Sequence, residues 1–372
     1  MEDRFRKTLD ALSARDRLRR LVPAGGVDFC SNDYIALTRH DGIRRALIDA
    51  LEGGIDLGAG GSRLLRGNHP AHEDLEAHAA HFFGTEAALF MATGYLANVA
   101  LFTTLPGRGD VIVMDERIHA SAKEGIHASA AKSAKFAHND AGACENAILR
   151  LKSRHPGKAW IAVESVYSMD GDVAPLAELA EIAARHDAAL IVDEAHATGA
   201  LGPGGRGLAA ALEGRADVVC LHTCGKALGQ AGALVTGTRA MKDYLVNTAR
   251  SFIYTTAPTP LAAIAVKHAL LAVQNEPERR ERLVTLTAQA RVTLGAIRGQ
   301  LPGETQILPF IVGEDGDAAR LADRLRARGF DVRAIRTPTV AAGTARLRIS
   351  ITLNADEEDI AALAAALTEE LQ

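Results

Sequence analysis

Three observations predict an α/β fold with a mostly parallel central sheet and a smaller α+β C-terminal domain. From about Thr85 onward, short apolar runs alternate with helix-type stretches, the pattern of a parallel sheet covered on both faces. Beyond about Arg298 the pattern changes to three strand-like runs and two helices. The 34 glycines among 372 residues supply the tight turns that such connections need.

Each element follows from its local pattern. A charged helix over residues 4–20 and a short strand at 28–30 open the chain and are expected to pack with the small domain. Apolar runs predict strands at 87–91, 111–115, 159–166, 188–193, 218–221 and 233–236. Helices are expected between them, as at 98–105, 141–153 and 174–185. Pro258 and Pro260 introduce a long helical stretch that runs to about Arg298. Strands at 306–312, 331–335 and 346–352, with helices at 317–328 and 356–371, complete the chain. The expected domains are an N-terminal segment 1–40, a large cofactor-binding α/β domain 41–285 and a small α+β domain 286–372.

Bulk properties exclude several classes. Net charge is −4 with no basic block, which argues against nucleic acid as a partner. The first residues, Met1-Glu2-Asp3-Arg4-Phe5-Arg6-Lys7, are charged and lead into no apolar signal core. No apolar run reaches membrane-spanning length, so a soluble, cytoplasmic protein is expected. Four scattered cysteines, Cys30, Cys144, Cys220 and Cys224, do not form a disulfide framework. They also lack the second Cys/His pair of a zinc finger, and no metal is expected.

The chemistry centres on Lys226, in Thr223-Cys224-Gly225-Lys226-Ala227-Leu228-Gly229, just past a buried-type strand. Small neighbours leave room beside it for a planar group. Asp193 closes the apolar run Ala189-Leu190-Ile191-Val192. Alone, the lysine reads as a surface residue in a βα loop, and the aspartate as a cap for the next turn. Together, at the carboxyl ends of parallel strands where ligands collect, they match a pyridoxal 5′-phosphate site. In that arrangement the lysine carries the cofactor and the aspartate pairs with its ring nitrogen.

Other residues complete such a site. Gly94, between strand 87–91 and a helix, would turn backbone N–H groups toward a phosphate. Thr223, Thr255 and Thr256 add candidate hydroxyls. His119 follows strand 111–115, where an imidazole would stack on the ring. His196, three residues past Asp193, would reach the phenolic oxygen, and Ser168 also lies just past a strand end.

Decoys fall away on context. Asp193-Glu194-Ala195-His196 spells a helicase box, but no phosphate-binding loop of the G-x-x-x-x-G-K-[ST] type accompanies it. Gly58-Ala59-Gly60-Gly61-Ser62 has no preceding strand, as a dinucleotide fingerprint requires. His69, His72, His78 and His81 do not share one helix face as metal ligands would.

The motifs resemble, in order and over nearly the whole chain, the α-oxoamine synthases among fold-type I pyridoxal-phosphate enzymes. The anchors are Ser31-Asn32-Asp33-Tyr34, Gly60-Gly61-Ser62-Arg63, His69 through Glu76, Ser168-Met169-Asp170-Gly171-Asp172, Asp193 through Gly199, Thr223 through Lys226, and Gly343 through Arg348. Ile35-Ala36 and Gln230-Ala231 depart from the family's usual pairs. The resemblance implies a homodimer and the fold-type I transferase architecture. It implies Lys226, His119, Asp193 and His196 as catalytic, and contacts to phosphate or ring from Gly94, Tyr95, Ser168 and Thr223. Thr255 or Thr256 would reach the phosphate of the neighbouring subunit. Arg348 would grip the amino-acid carboxylate with Asn32 nearby, and Arg19 and Arg336 would lie toward the substrate end.

Within that family Thr344-Ala345-Arg346-Leu347-Arg348, preceded by Arg336-Thr337-Pro338, favours the member of biotin biosynthesis. That member condenses L-alanine with a pimeloyl thioester, of CoA or of an acyl-carrier protein. Glycine with acetyl-CoA or succinyl-CoA, serine with a fatty acyl-CoA, and autoinducer-type synthesis are the alternatives. Arg346 and Arg348 sit two apart on a strand and so share one face, one expected to be structural and the other to fork a carboxylate.

Overall fold

A computed structural model describes residues 1–372. Its strands, in chain order, are β1 (Val27–Asp28), β2 (Ala87–Met91), β3 (Val111–Asp115), β4 (Lys132–Phe136), β5 (Ala159–Glu164) and β6 (Ala188–Asp193). They continue with β7 (Val218–Thr223), β8 (Ala233–Gly237), β9 (Ile307–Gly313), β10 (Phe330–Asp331), β11 (Arg333–Ile335) and β12 (Ala345–Ser350). The chain divides into two compact units. One joins Met1–Tyr34, Ser168–Asp172 and Glu281–Gln372; the other joins Ile35–Tyr167 and Val173–Arg280.

The larger unit is built on a seven-stranded sheet in the order β2-β8-β7-β6-β5-β3-β4. β4, β3, β5, β6 and β7 run parallel, while β8 is antiparallel to both its neighbours. The apolar runs are continuous because both faces are covered: every residue of β3 and β6 is buried. Alternate residues serve opposite cores. Val113, Ile161, Leu190 and Val192 pack on one side, and Ile112, Ala162, Ile191 and Leu221 on the other. Each such side chain contributes on the order of 1.5–3 kcal/mol, so the sheet centre is a stiff base for whatever its strand ends carry.

Differences from expectation have local causes. β4 escaped prediction because Lys132-Ser133-Ala134-Lys135 is polar and largely exposed, as suits an edge strand. The strand expected over 159–166 ends at Glu164. The helical stretch toward Arg298 is two helices, Pro260–Asn275 and Pro277–Arg298. Pro277 disfavours helical geometry for Glu276, whose φ is −122 and ψ 62.

The smaller unit holds the antiparallel sheet β11-β12-β9 and a parallel pair, β1 with β10. Its N-terminal helix stops at Ser13, short of the expected residue 20. Asp16 turns to φ 54 there, and the Arg17 N–H reaches back to the Leu12 carbonyl at 2.8 Å. The run 331–335 splits because Asp331 pairs with β1 while Arg333 pairs with β12. Residues 29–34 lie along the end of β12, the Ser350 N–H donating to the Phe29 carbonyl and the Leu353 N–H to that of Tyr34. Ser168–Asp172 also belongs here. Gly171 takes φ 68, and its carbonyl accepts from the Thr305 hydroxyl at 2.8 Å. No helix is long and apolar enough to cross a membrane.

Candidate active site

In the larger unit the parallel strands deliver their chemistry to one sheet edge. β6 ends at Asp193 and its turn carries His196; β7 ends at Thr223 and its turn carries Lys226. The Lys226 Nζ lies 2.8 Å from His196 Nε2. Asp193 is 6% exposed and held at both oxygens. Oδ2 accepts from the Asn98 side chain at 2.8 Å, and Oδ1 from the Ala195 N–H at 3.0 Å.

Asn98 links Asp193 to His119. Its Nδ2 also donates to the Ser121 hydroxyl at 3.0 Å, and that oxygen is 2.8 Å from His119 Nδ1. Ser121 Oγ therefore accepts from the amide and gives its own proton to Nδ1, which assigns the neutral Nε2–H tautomer to His119. Desolvation first, then the Lys226 and Lys123 charges, pull His119 below the usual histidine range against the opposing pull of Asp193. A neutral imidazole that retains accessible surface is a suitable face for an aromatic ring.

The helix Gly94–Thr104 begins beside Thr223. A Cβ added at Gly94 would meet Thr223 Oγ1 at 3.0 Å, so glycine keeps the hydroxyl and the first helical N–H groups open to a shared anion. Thr93 caps that helix, accepting from the Leu96 N–H at 3.1 Å. Tyr95 is 44% exposed and donates its hydroxyl proton to Glu124. Thr255 and Thr256 lie in a loop pinned by the Ala257 N–H to the Gly61 carbonyl at 2.9 Å.

Several residues in this cluster were not anticipated. Asn98 and Ser121 were hidden because a polar residue on a helix gives no sign of what it faces. Glu164 is the β5 neighbour of Asp193 in register, and burial followed by the Asp193 charge pushes its carboxyl up to about 8. Glu194 is fully buried and braces the turn after β6. It accepts from the Ser165 hydroxyl at 2.7 Å and from the N–H groups of Leu208 and Ala209. Two of the histidines set aside above are structural: His69 caps the helix Pro70–Phe83, and His72 contacts the Pro258 carbonyl at 2.8 Å.

The smaller unit carries Arg19, Asn32, Ser168, Arg336 and Arg348. Arg348 is 7% exposed. Its Nε donates to the Ser168 carbonyl at 2.6 Å, Nη1 to Ser350 Oγ at 2.7 Å, and Nη2 to Asn32 Oδ1 at 3.0 Å and the Tyr34 hydroxyl at 3.3 Å. Arg346, on the same strand face, instead pairs with Asp170 and with Thr344. Ser168 thus contributes its carbonyl to Arg348. Arg19 and Arg336 line a cleft of about 600 Å³ that also holds Arg20, Arg326 and Arg333.

Comparison with known proteins gives the family. Residues 24–367 match the family described as aminotransferase class I and II. The chain is 43% identical over 373 residues to 8-amino-7-oxononanoate synthase of Chromobacterium violaceum, covering 95% of each. It is 41% identical over 385 residues to that of Methylococcus capsulatus, covering 97% of this chain and 96% of the relative. Among solved structures it is similar to serine palmitoyltransferase from S. paucimobilis with bound PLP and myriocin. The TM-score there is 0.86 at 28% identity, over 92% of this chain and 86% of that one. It is also similar to 8-amino-7-oxononanoate synthase from Francisella tularensis, with TM-score 0.77 at 29% identity, over 93% and 98% of the two chains.

Proposed function

The chain belongs to the aminotransferase class I and II family, and on that premise we propose that it condenses L-alanine with a pimeloyl thioester. The products are 8-amino-7-oxononanoate, CO₂ and the free thiol of CoA or an acyl-carrier protein, in biotin biosynthesis. The observation that carries this reading is Lys226 in contact with His196, one strand from a buried, doubly held Asp193.

Pyridoxal 5′-phosphate fits the residues present. The space kept open at Gly94 beside Thr223 suits its phosphate, and a fixed carboxylate suits its ring nitrogen. When bound, the cofactor supplies an electron-withdrawing ring for the electron pair left at the substrate Cα. Lys226 would hold it covalently through Nζ and would serve as general base toward the substrate Cα proton. Asp193 keeps a proton on the ring nitrogen, with Asn98 and the Ala195 N–H fixing its carboxylate. His119 would lie toward the ring and His196 toward the phenolic oxygen. Gly94, Tyr95, Ser168 and Thr223 would contact phosphate or ring, and Thr255 or Thr256 would reach the phosphate held by a second copy in a homodimer. Arg348 with Asn32 binds the alanine carboxylate, while Arg19 and Arg336 serve the acyl donor. The same reading makes the protein a soluble cytoplasmic enzyme.

A second reading, condensation of serine with a fatty acyl-CoA, is favoured by the higher TM-score to serine palmitoyltransferase, 0.86 against 0.77. Mass spectrometry of the product from paired mixtures of alanine or serine with pimeloyl- or palmitoyl-CoA separates the two. The expected product is 8-amino-7-oxononanoate from alanine and pimeloyl-CoA, with Lys226→Ala slower by ~10⁴-fold or more. Near-normal turnover in that variant would remove the assignment.

A further inference from the structure

Cys220 and His222 stand two apart on β7 and so share a side of the strand, and the turn before it carries Glu213. One ligand atom from each lies within 4.8 Å of the others. The His222 and Glu213 side chains are 0% and 1% exposed. The ring of Phe83 stacks on the imidazole, with centroids 3.7 Å apart.

The outer nitrogen of the imidazole has a partner: Nδ1 lies 2.7 Å from the Thr198 hydroxyl, which is also 2.9 Å from the Glu194 carbonyl. A metal-bound histidine's outer nitrogen is held in the same way. Nε2 faces Glu213 Oε1 at 3.4 Å and the Thr236 hydroxyl at 3.2 Å. Neither carboxylate oxygen of Glu213 has a hydrogen-bond partner. A buried carboxylate left in that state is costly. A shared proton would draw nitrogen and oxygen to about 2.7–2.9 Å. Two ligands bonded at about 2.0–2.2 Å to a tetrahedral ion stand about 3.3–3.5 Å apart. The separation matches the second case.

We propose that Glu213, Cys220 and His222 bind one divalent transition-metal ion of the zinc class, with water as fourth ligand. On binding, Cys220 releases its thiol proton to solvent and ligates as thiolate. Carboxylate and thiolate together neutralise the ion's two charges, so the buried site carries no net charge. The Thr236 hydroxyl lies 3.2 Å from Nε2 and 3.5 Å from the Cys220 carbonyl, and turns to the carbonyl when the ion is bound. The ion ties the turn at Glu213 to the strand that leads to Lys226, and its role is structural.

Cobalt(II) is the probe, added to the full-length protein after chelator treatment and dialysis. The expected result is about one cobalt per chain, with the near-ultraviolet charge-transfer band of a thiolate ligand. Cys220→Ser should lose that band while keeping the wild-type circular dichroism. Glu213→Gln should weaken cobalt binding about 10–100-fold. Wild-type protein that takes up no cobalt, or a band that survives Cys220→Ser, overturns the site. Should Cys220→Ser fail to fold, the wild-type titration and Glu213→Gln decide; unchanged affinity in Glu213→Gln also counts against it.

Discussion

The polar cluster of the larger unit and the arginine face of the smaller one solve the same problem differently. Around Asp193 most groups sit at a strand end or helix start, which parallel topology brings to one edge, and Asn98 joins them from the second turn of its helix. Around Arg348 the acceptors come from three distant stretches: Asn32 and Tyr34, Ser168, and Ser350. The charge balance differs as well. Arg346 faces the Asp170 carboxylate, whereas the acceptors of Arg348 are a carbonyl, an amide oxygen and two hydroxyls. A buried cation held only by neutral acceptors is poised for an anionic ligand; one already paired is a strut. That difference supports the proposal that Arg348 binds the substrate carboxylate while Arg346 braces the fold.

The sharpest way to break that contrast is at Asp193, where a charge rather than a shape is at stake. Asp193→Asn keeps the size of the side chain but cannot hold a ring proton by charge. Exchange of the alanine Cα proton for solvent deuterium should slow about 10²–10³-fold, on the scale of losing one preorganised electrostatic contact. Unchanged exchange refutes the role.

The same contrast explains what could be read before any coordinates. β3, β5, β6 and β7 were legible because burial on both faces leaves unbroken apolar runs, and Asp193 and Lys226 stood out because one closes such a run and the other lies in the turn after one. β4 was not, since an exposed edge strand with two lysines carries no hydrophobic pattern. Asn98 and Ser121 touch Asp193 and His119 only once the helix after β2 and the helix after β3 are packed together. The placing of Ser168–Asp172 with the smaller unit depends on Gly171 and Thr305 meeting across 134 residues, a pairing that no local pattern encodes. Arg348 was expected from the resemblance to hold the carboxylate; the pairing of Arg346 with Asp170 is a contact that the sequence pattern does not encode.

Arg348→Lys tests the arginine side with a smaller expected effect. Lysine keeps the charge but loses the planar fork that spans a carboxylate. Apparent affinity for alanine should fall about 10–100-fold, the scale of one charge-assisted hydrogen bond or slightly more. The spectrum of the resting enzyme should not change, because Lys226 and Asp193 belong to the other unit. Alanine titration followed by absorbance measures both, and unchanged affinity would return Arg348 to the status of Arg346.

A last test concerns Glu164, which the strand pairing sets beside Asp193. Burial and the Asp193 charge push its carboxyl from 4.5 up to about 8, so the folded chain keeps a proton there that the unfolded chain releases. Between those values the folded state binds more protons than the unfolded one, and stability must fall as pH rises through the window. Below about 4.5 both states are protonated and the term is constant; above about 8 the loss is complete. Glu164→Gln fixes a neutral group of the same shape and removes this dependence. Its Tm relative to wild type should therefore climb steadily between pH 5 and pH 8. A Tm difference that stays flat over that range would mean Glu164 is ionised in the folded protein, and the buried pair with Asp193 would need another source of positive charge.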